Sequence, residues 1–409
     1  MASTGAKLGA LLCLGAALAY ARLAAVRRAR AERQAAHTAR GPAEDTSLSS
    51  WEVRGRPGEG KNRERLTSSE ILRLERRSVT VQVPGTSANL GCGFDCIGMA
   101  VDMWNELTVE RADKFCITVE GEGADDIPLD SSNLVCVGLE AAFKAAGKPV
   151  PPLHYHLKQR IPHGRGLGSS SAAIVSGILA GLVIAGHKLD VHGREEMLQL
   201  ATEIEGHPDN VAPCMYGGCQ IGVYDETQKR WSTERVSLPH GLVFVMFIPA
   251  FVGKTSELRK VVPKTVSIHD AVFNIGRIAW LVLALTTGKI ENLRLAVEDR
   301  LHQPQRGAAV YRHLFPLMEA AYRGGAAAAY LSGAGPVVMA LTTGGSGDFF
   351  TQNLAQRTDQ RVAREMQETA DRLNVPGKVY VTHPTQVGGV VVKADPPFST
   401  TNLVFNGET

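Results

Sequence analysis

No Cys-x-x-Cys pair occurs in this chain of 409 residues. Its seven cysteines, Cys13, Cys92, Cys96, Cys116, Cys136, Cys214 and Cys219, are odd in number and scattered, which argues against a disulfide framework and for a reducing compartment. Neither Cys92 with Cys96 nor Cys214 with Cys219 has the tight spacing and nearby histidine of a zinc site, so these read as buried thiols. Charge is sparse too: the net value is +3, with much of the positive charge in the first 77 residues, and the remainder offers no nucleic-acid footprint. The Gly-rich stretch at 162–173 has no Lys after its last Gly, which excludes a P-loop. It also lacks the strand–GxGxxG–helix spacing of a dinucleotide fold.

What the stretch does contain is PHGRGLGSSSAA, between an alternating segment and a small-residue apolar run. Gly164, Gly166 and Gly168 permit positive φ and close approach to a ligand. Ser169, Ser170 and Ser171 offer a cap and hydroxyls where the run 172–186 starts as a helix. A Gly-rich turn feeding a helix N-terminus aims unpaired N–H groups and a positive dipole end at one point, where a polyphosphate would sit. The chemistry suggested is nucleotide binding; an ordinary tight turn capping a buried helix is the plain alternative.

With 44% hydrophobic residues the chain can bury a large core, as two domains or one large domain plus extensions. Residues 7–26 are Ala- and Leu-rich, interrupted by Arg22 and followed by Arg27, Arg28, Arg30, Arg33 and Arg40, with no acidic residue before Glu32. A transit peptide and a signal anchor both fit this pattern, whereas the cysteines disfavour a secretory signal. Residues 1–77 are thus expected to be a targeting or anchor segment plus linker, apart from the chemistry. The expected address is an organelle, foremost a plastid, ahead of mitochondrion, cytoplasm or a membrane contact through residues 8–26.

From Ser78 the pattern becomes alternation, with Val79, Val81 and Val83 on one face of a strand that is expected to end at Pro84. The dense loop GTSANLGCGFDCIG follows, then strands at 107–110 and 115–119, expected to pair, and a helix opening at Asn133. A helix at about 194–205 ends in EIEGHPDNVAP, where Glu203, Glu205, His207, Asp209 and Asn210 form the densest polar cluster in the chain. A carboxylate there, with a hydroxyl and phosphate oxygens, is what Mg²⁺ on a nucleotide requires. Domain boundaries are expected at 78–238 and 239–409. The second domain holds an apolar strand at 239–249, TSELR with Thr255 and Arg259 on one helix face, DRLHQPQR with Arg306, the Gly-rich hairpin LSGAGPVVMAL, a last helix at 357–373 and a closing strand at 378–382.

Four motifs, TSANLGCGFDCIG, PHGRGLGSSSAA, EIEGHPDNVAP and LSGAGPVVMAL, in this order and spacing resemble the GHMP kinases, and most closely their homoserine kinase branch. The resemblance spans about 78–393. It implies an α+β, two-domain GHMP kinase fold: an N-terminal α/β domain like domain 2 of ribosomal protein S5, and a C-terminal ferredoxin-like α/β sandwich. It further implies ATP and Mg²⁺ as cofactors and phosphorylation of the side-chain hydroxyl of L-homoserine. By the resemblance, Pro162, Gly164, Gly166, Leu167, Gly168, Ser169, Ser170 and Ser171 cradle the phosphates, Ser170 and Glu203 hold Mg²⁺, and Asn133 lies near the adenine. Asn89, Asp95, His207, Asn210, Thr255, Arg259, Arg306 and Gly333 surround the substrate, with Asn210, His207 and Asp209 at the reacting centre. Three positions depart from the family pattern: Val337 in place of a Thr, Gln305 in place of an aromatic, and Arg165 as extra charge beside the loop. A homodimer is also expected. Another small-molecule GHMP kinase (mevalonate, shikimate or diphosphocytidyl-methylerythritol) and a non-catalytic sensor on the same fold are the competing readings.

Overall fold

The valine alternation does form a strand, β1 (Ser78–Ala88), in the computed structural model, which describes residues 75–186, 193–253, 255–343 and 357–397. β1 does not end at Pro84. Its pairing with β2 (Ile97–Arg111) slips between Pro84 and Gly85, and the bulge absorbs the proline so that residues 85–88 continue, fully buried, towards the middle of the molecule. β2 accordingly starts ten residues before the expected strand at 107–110, at Ile97, inside the stretch that sequence pattern reads as loop.

The first sheet adds β3 (Cys116–Gly121), β4 (Leu153–Gln159), β5 (Cys219–Asp225), β6 (Arg230–Val236) and β11 (Val390–Asp395), in the order β11-β1-β2-β4-β3, with β5 on β2 and β6 on β5. The expected pairing of 107–110 with 115–119 does not occur, because β4 lies between β2 and β3 and takes β3 as a parallel neighbour. Helices α1 (Leu134–Ala145), α2 (Ser169–Ile184), α3 (Gly193–Glu205) and α4 (Pro208–Tyr216) cover this sheet, with α2 and α4 against β1 and β2.

The second sheet is β7 (Leu242–Pro249), β8 (Ala328–Leu331), β9 (Val338–Thr343) and β10 (Gly377–Thr382), ordered β10-β7-β9-β8 and antiparallel throughout. Helices α9 (Leu314–Gly324) and α10 (Thr358–Arg372) pack on it, giving the ferredoxin-like sandwich. Every residue of β7 is buried, and its two faces serve different cores. Leu242, Phe244, Met246 and Ile248 join the core of β1 and β2, whereas Val245 and Phe247 pack with Leu314, Leu317 and Met366. The remaining helices are α5 (Thr255–Lys260), α6 (Ile268–Thr287), α7 (Leu293–Ala296) and α8 (Gln303–Ala309).

A new sheet therefore does begin after residue 238, but the division is not clean. β7 shares a core with β1 and β2, and β11 returns from the C-terminal part to pair with β1, so the described residues form one compact unit. The expected boundary at residue 77 also shifts. Arg76 is fully buried, its N–H donates to the Ile184 carbonyl at 3.2 Å, and Glu75 holds both Arg111 and Lys148 at 2.9 and 2.8 Å. Of the targeting or anchor segment plus linker expected at residues 1–77, residues 1–74 lie outside the described residues.

Candidate active site

The loop at 162–168 is held open by its neighbours. Gly168, φ 69°, is the N-cap of α2, and no serine side chain caps the helix; the three serines occupy the first turn instead. A Cβ on Gly168 would strike Thr86 Oγ1, and one on Gly166 the Ser332 carbonyl, so both positions need glycine for space as well as for positive φ. Ser332 Oγ donates to the Gly166 carbonyl at 2.7 Å and the Val337 N–H to the Arg165 carbonyl at 3.2 Å, which latches the loop to the β8–β9 hairpin. The Arg165 guanidinium turns away to the Ala250 carbonyl, 2.9 Å. Pro162, Leu167 and Ser171 are buried and not part of the cavity wall, so they shape the loop and do not face a ligand.

At the C-terminus of α3, Glu205 Oε1 accepts from Ser170 Oγ at 2.8 Å and from Ser171 Oγ at 3.1 Å. Glu203, the expected metal ligand, is exposed and does not line the cavity. Residues two apart on a helix point to nearly opposite faces, so only one of the two glutamates can reach α2, and it is Glu205. After Gly206 the chain starts a further helix, α4, on the residues with which the sequence pattern ends the preceding one. His207 is its N-cap and Pro208 its first residue. His207 Nδ1 hydrogen-bonds the buried Asp209 carboxylate, and Asn210 Oδ1 accepts from Thr86 Oγ1 at 2.8 Å. Burial alone would push the His207 imidazole down. The Asp209 hydrogen bond and charge, with Asp95 and Glu205 behind it, outweigh this and hold it above the ordinary histidine value.

The first loop supplies the opposite wall. Asn89 (φ 69°), Leu90 (φ 42°) and Asp95 (φ 58°) all sit in the left-handed region, a concentration of backbone strain of the sort found at ligand sites. Asn89 holds the loop in that shape: its Nδ2 donates to the Gly333 carbonyl and its Oδ1 accepts the Asp95 N–H, both at 2.9 Å. Asp95 takes both arms of the Arg259 guanidinium, at 2.8 and 3.0 Å. Arg306 is almost completely buried, and its Nη1 donates to the Gly333 carbonyl at 3.1 Å and to His302 Nδ1 at 3.0 Å. Among the described residues no hydrogen bond uses its Nη2. The Thr255 side chain lies outside the described residues. The Cys92 and Cys96 thiols of the loop are pushed up by burial, to about 12 and about 11, and are inert at neutral pH.

These walls enclose a cavity of about 310 Å³. One end is the phosphate loop with Ser169 and Ser170; Asp95, His207, Asn210, Arg259, Arg306 and Gly333 line a polar end; Ile127, Leu134, Leu157 and Ile161 form an apolar slot. Asn133 lines the slot, but both ends of its amide are used in capping α1, accepting from the Val135 N–H and donating to the Pro128 carbonyl. It bounds the slot with one of its two Nδ2 protons committed to Pro128. An apolar slot, a helix N-terminus beside a hydroxyl–carboxylate pair and a charged pocket define a nucleotide-dependent kinase of small molecules.

Comparison with known proteins narrows the class. The profile of the GHMP kinases N terminal domain matches residues 133–218, and that of the GHMP kinases C terminal domain matches 281–369. Homoserine kinase of Caldanaerobacter subterraneus subsp. tengcongensis is 42% identical over 270 residues, which is 65% of this chain and 83% of that protein. The Carboxydothermus hydrogenoformans homoserine kinase is 37% identical over 313 residues, 76% of this chain and 96% of that protein. Among solved structures, homoserine kinase from Cytophaga hutchinsonii superposes with a TM-score of 0.66 at 27% identity, over 78% of this chain and 98% of that one. The chain belongs to the homoserine kinases, within the GHMP kinase family.

The sequence reading names Glu205 in the polar cluster but gives the metal to Glu203, two residues away. It does not single out His302. His302 stands one helical turn before Arg306, a spacing that puts both on one face and is its only signal.

Proposed function

We propose that this enzyme transfers the γ-phosphoryl group of ATP to the side-chain hydroxyl of L-homoserine, giving O-phospho-L-homoserine for threonine biosynthesis. The observation that carries this reading is the Asp95–Arg259 pair, which shares one cavity with Arg306 and the phosphate loop. A free amino acid brings an ammonium and a carboxylate only a few ångströms apart. Asp95 and Arg259 can exchange each other for the matching half of such a ligand, whereas mevalonate or shikimate would leave Asp95 unmatched. Ligand atoms of Asp95, His207 and Asp209 lie within 4.8 Å of one another, an environment suited to an ammonium.

Ser170 Oγ and Glu205 Oε1 are the hard oxygen donors Mg²⁺ takes beside phosphates, so these two residues fit the ion and would hold it. When bound, the ion neutralises phosphate charge. The N-terminal amides of α2 face the same place. Asp209 is engaged by His207, and Asn210 is a neutral amide whose side-chain oxygen accepts from Thr86. Phosphoryl transfer depends on positioning and charge neutralisation more than on a strong base, so the homoserine hydroxyl attacks directly: its bond to Pγ forms as the bond from Pγ to the bridging oxygen breaks, ADP leaves, and the hydroxyl proton departs late to a phosphate oxygen. A coupled ADP assay over a panel of alcohols tests this. Turnover of mevalonate or shikimate with homoserine inert would overturn it, and no turnover of any alcohol would favour a sensor.

The expected homodimer has a surface to form on. Along α6, Ile268, Val272, Ile275, Ala279 and Leu283 share one exposed face, Ile268 being 80% and Ile275 65% exposed. Val266 and Trp280, 46% and 39% exposed, extend the face, and a contiguous apolar patch of this kind is what each partner of a stable pair buries, about 800 Å² a side. A second copy packed α6 on α6 is the occupant proposed. Sedimentation should find a dimer that Ile275→Glu dissociates; a wild-type monomer, or association lost when residues 1–74 are removed, counts against it. α6 is also long and apolar enough to cross a membrane, and flotation of the protein with vesicles would replace the dimer by that reading.

Residues 1–74 are proposed to address the chain to a plastid, which a full-length fluorescent fusion in the cytosol or mitochondrion would contradict. Their removal should spare activity, but a chain starting at Ser78 should be less stable than one starting at Glu75. It loses the Arg76–Ile184 and Arg77–Asp395 backbone hydrogen bonds and the Glu75 contacts, about 2 kcal/mol or more. Equal melting temperatures would show that 75–77 contribute nothing.

A further inference from the structure

His302 is fully buried and belongs to no group of residues assigned above to nucleotide or substrate. Its partners fix its tautomer. Nε2 lies 2.7 Å from the Gly91 carbonyl, which can only accept, so Nε2 carries the proton. Nδ1 lies 3.0 Å from Arg306 Nη1, which can only donate, so Nδ1 presents its lone pair. The ring is therefore neutral, and burial lowers its proton affinity in keeping with that. Its environment is also fixed. The Asp299 carboxylate accepts the N–H groups of Leu301, His302 and Gln303, and Asn274 of α6 donates both to Asp299 and to the Cys92 carbonyl. The Phe94 ring lies against the imidazole, centroids 5.2 Å apart.

We propose that His302 is a positioning residue for the amino-acid substrate: its Nδ1 lone pair fixes the Arg306 guanidinium that reads the substrate carboxylate, while the Nε2–H bond to the Gly91 carbonyl sets the tautomer that leaves Nδ1 free to accept. With Nη1 spent on His302 and Gly333, Arg306 presents Nη2 to the cavity; without His302 the guanidinium keeps only the Gly333 carbonyl and a long Nε contact of 3.5 Å to the Leu258 carbonyl, and is held less firmly. This inference rests on the homoserine reading, and wild-type turnover of homoserine tests that reading before any variant is made.

Two amide substitutions divide the two contacts. In His302→Asn the side-chain oxygen can stand where Nδ1 stands and accept from Arg306, whereas in His302→Gln the longer amide reaches the position of Nε2 and serves only Gly91. In steady-state kinetics His302→Asn should keep the KM for homoserine within about threefold of wild type, and His302→Gln should raise it about tenfold or more. kcat at saturating homoserine and the KM for ATP should stay within about threefold in both, which also reports an intact fold. In an Arg306→Leu background His302→Gln should add no further rise. Equal effects of the two substitutions on homoserine, a loss confined to kcat or to ATP, or full additivity with Arg306→Leu each overturn the proposal. Should His302→Gln fail to fold, His302→Leu takes its place: a homoserine KM raised about tenfold in His302→Leu and kept within about threefold in His302→Asn supports the role, and equal KM values in the two overturn it.

Discussion

Glu205→Gln should lower kcat by about a hundredfold or more, while Glu203→Gln leaves it within about threefold of wild type. The two glutamates flank Ile204, yet only Glu205 reaches the α2 serines. The amide keeps the size of the side chain and can still accept from Ser170, so α2 and α3 should pack as before; what is removed is the negative charge. A loss of activity without a fall in melting temperature would therefore report the charge, and Mg²⁺ dependence should shift to higher concentration. Ser170→Ala should lower kcat less, because water can take the place of a hydroxyl ligand more easily than that of a carboxylate. If Glu205→Gln turns over at the wild-type rate and Glu203→Gln does not, the placement of the metal is wrong and α3 is rotated in solution relative to the geometry described.

The contrast between these glutamates shows where sequence is informative here. The motif EIEGHPDN announces a site because five polar groups crowd a helix end, and the structure does bring His207, Asp209 and Asn210 to the cavity. Which glutamate faces inward depends on how α3 is rotated against α2, a packing decision that short polar spacing does not encode. β1 and the phosphate loop are legible, from valine alternation and from glycines before an apolar run. The extension of β1 past Pro84 is not, since a proline ordinarily ends a strand and only the bulge against β2 rescues it. β11 carries a local signal in Val390, Val391 and Val392, but its pairing with β1, far away in the chain, is not written in that stretch. The Asn89–Asp95 loop reads as a site from composition alone. That Asn89 acts as its internal brace, with donor and acceptor both spent on backbone, emerges only when the Gly333 carbonyl is brought beside it. Likewise Val337, expected to matter as a missing hydroxyl, is fully buried and contributes through its N–H, which any residue but proline supplies.

Arg306→Leu should raise the KM for homoserine more steeply than Arg259→Leu, with ATP affinity and slow ATP hydrolysis nearly unchanged in both. The ordering follows from burial. Arg306 is only 2% exposed, so removing it strips a desolvated carboxylate of its partner, a loss typically of about 2 to 5 kcal/mol, or some thirtyfold to several thousandfold. Arg259 and Asp95 have side chains 42% and 31% exposed, and water and salt screen what they contribute. Arg306 also braces Gly333 and His302, so its loss loosens the pocket beyond the contact with substrate. Arg306→Lys should recover part of the affinity: it restores the charge, but an ammonium on a shorter stem cannot keep both braces and still present a donor to the cavity. Raising salt should weaken homoserine binding by the Arg306→Leu enzyme more than by Arg259→Leu, since the former retains only the exposed guanidinium. If both Leu variants bind homoserine normally and lose ATP instead, the two arginines serve the nucleotide, and the polar end of the cavity is not where the amino acid sits.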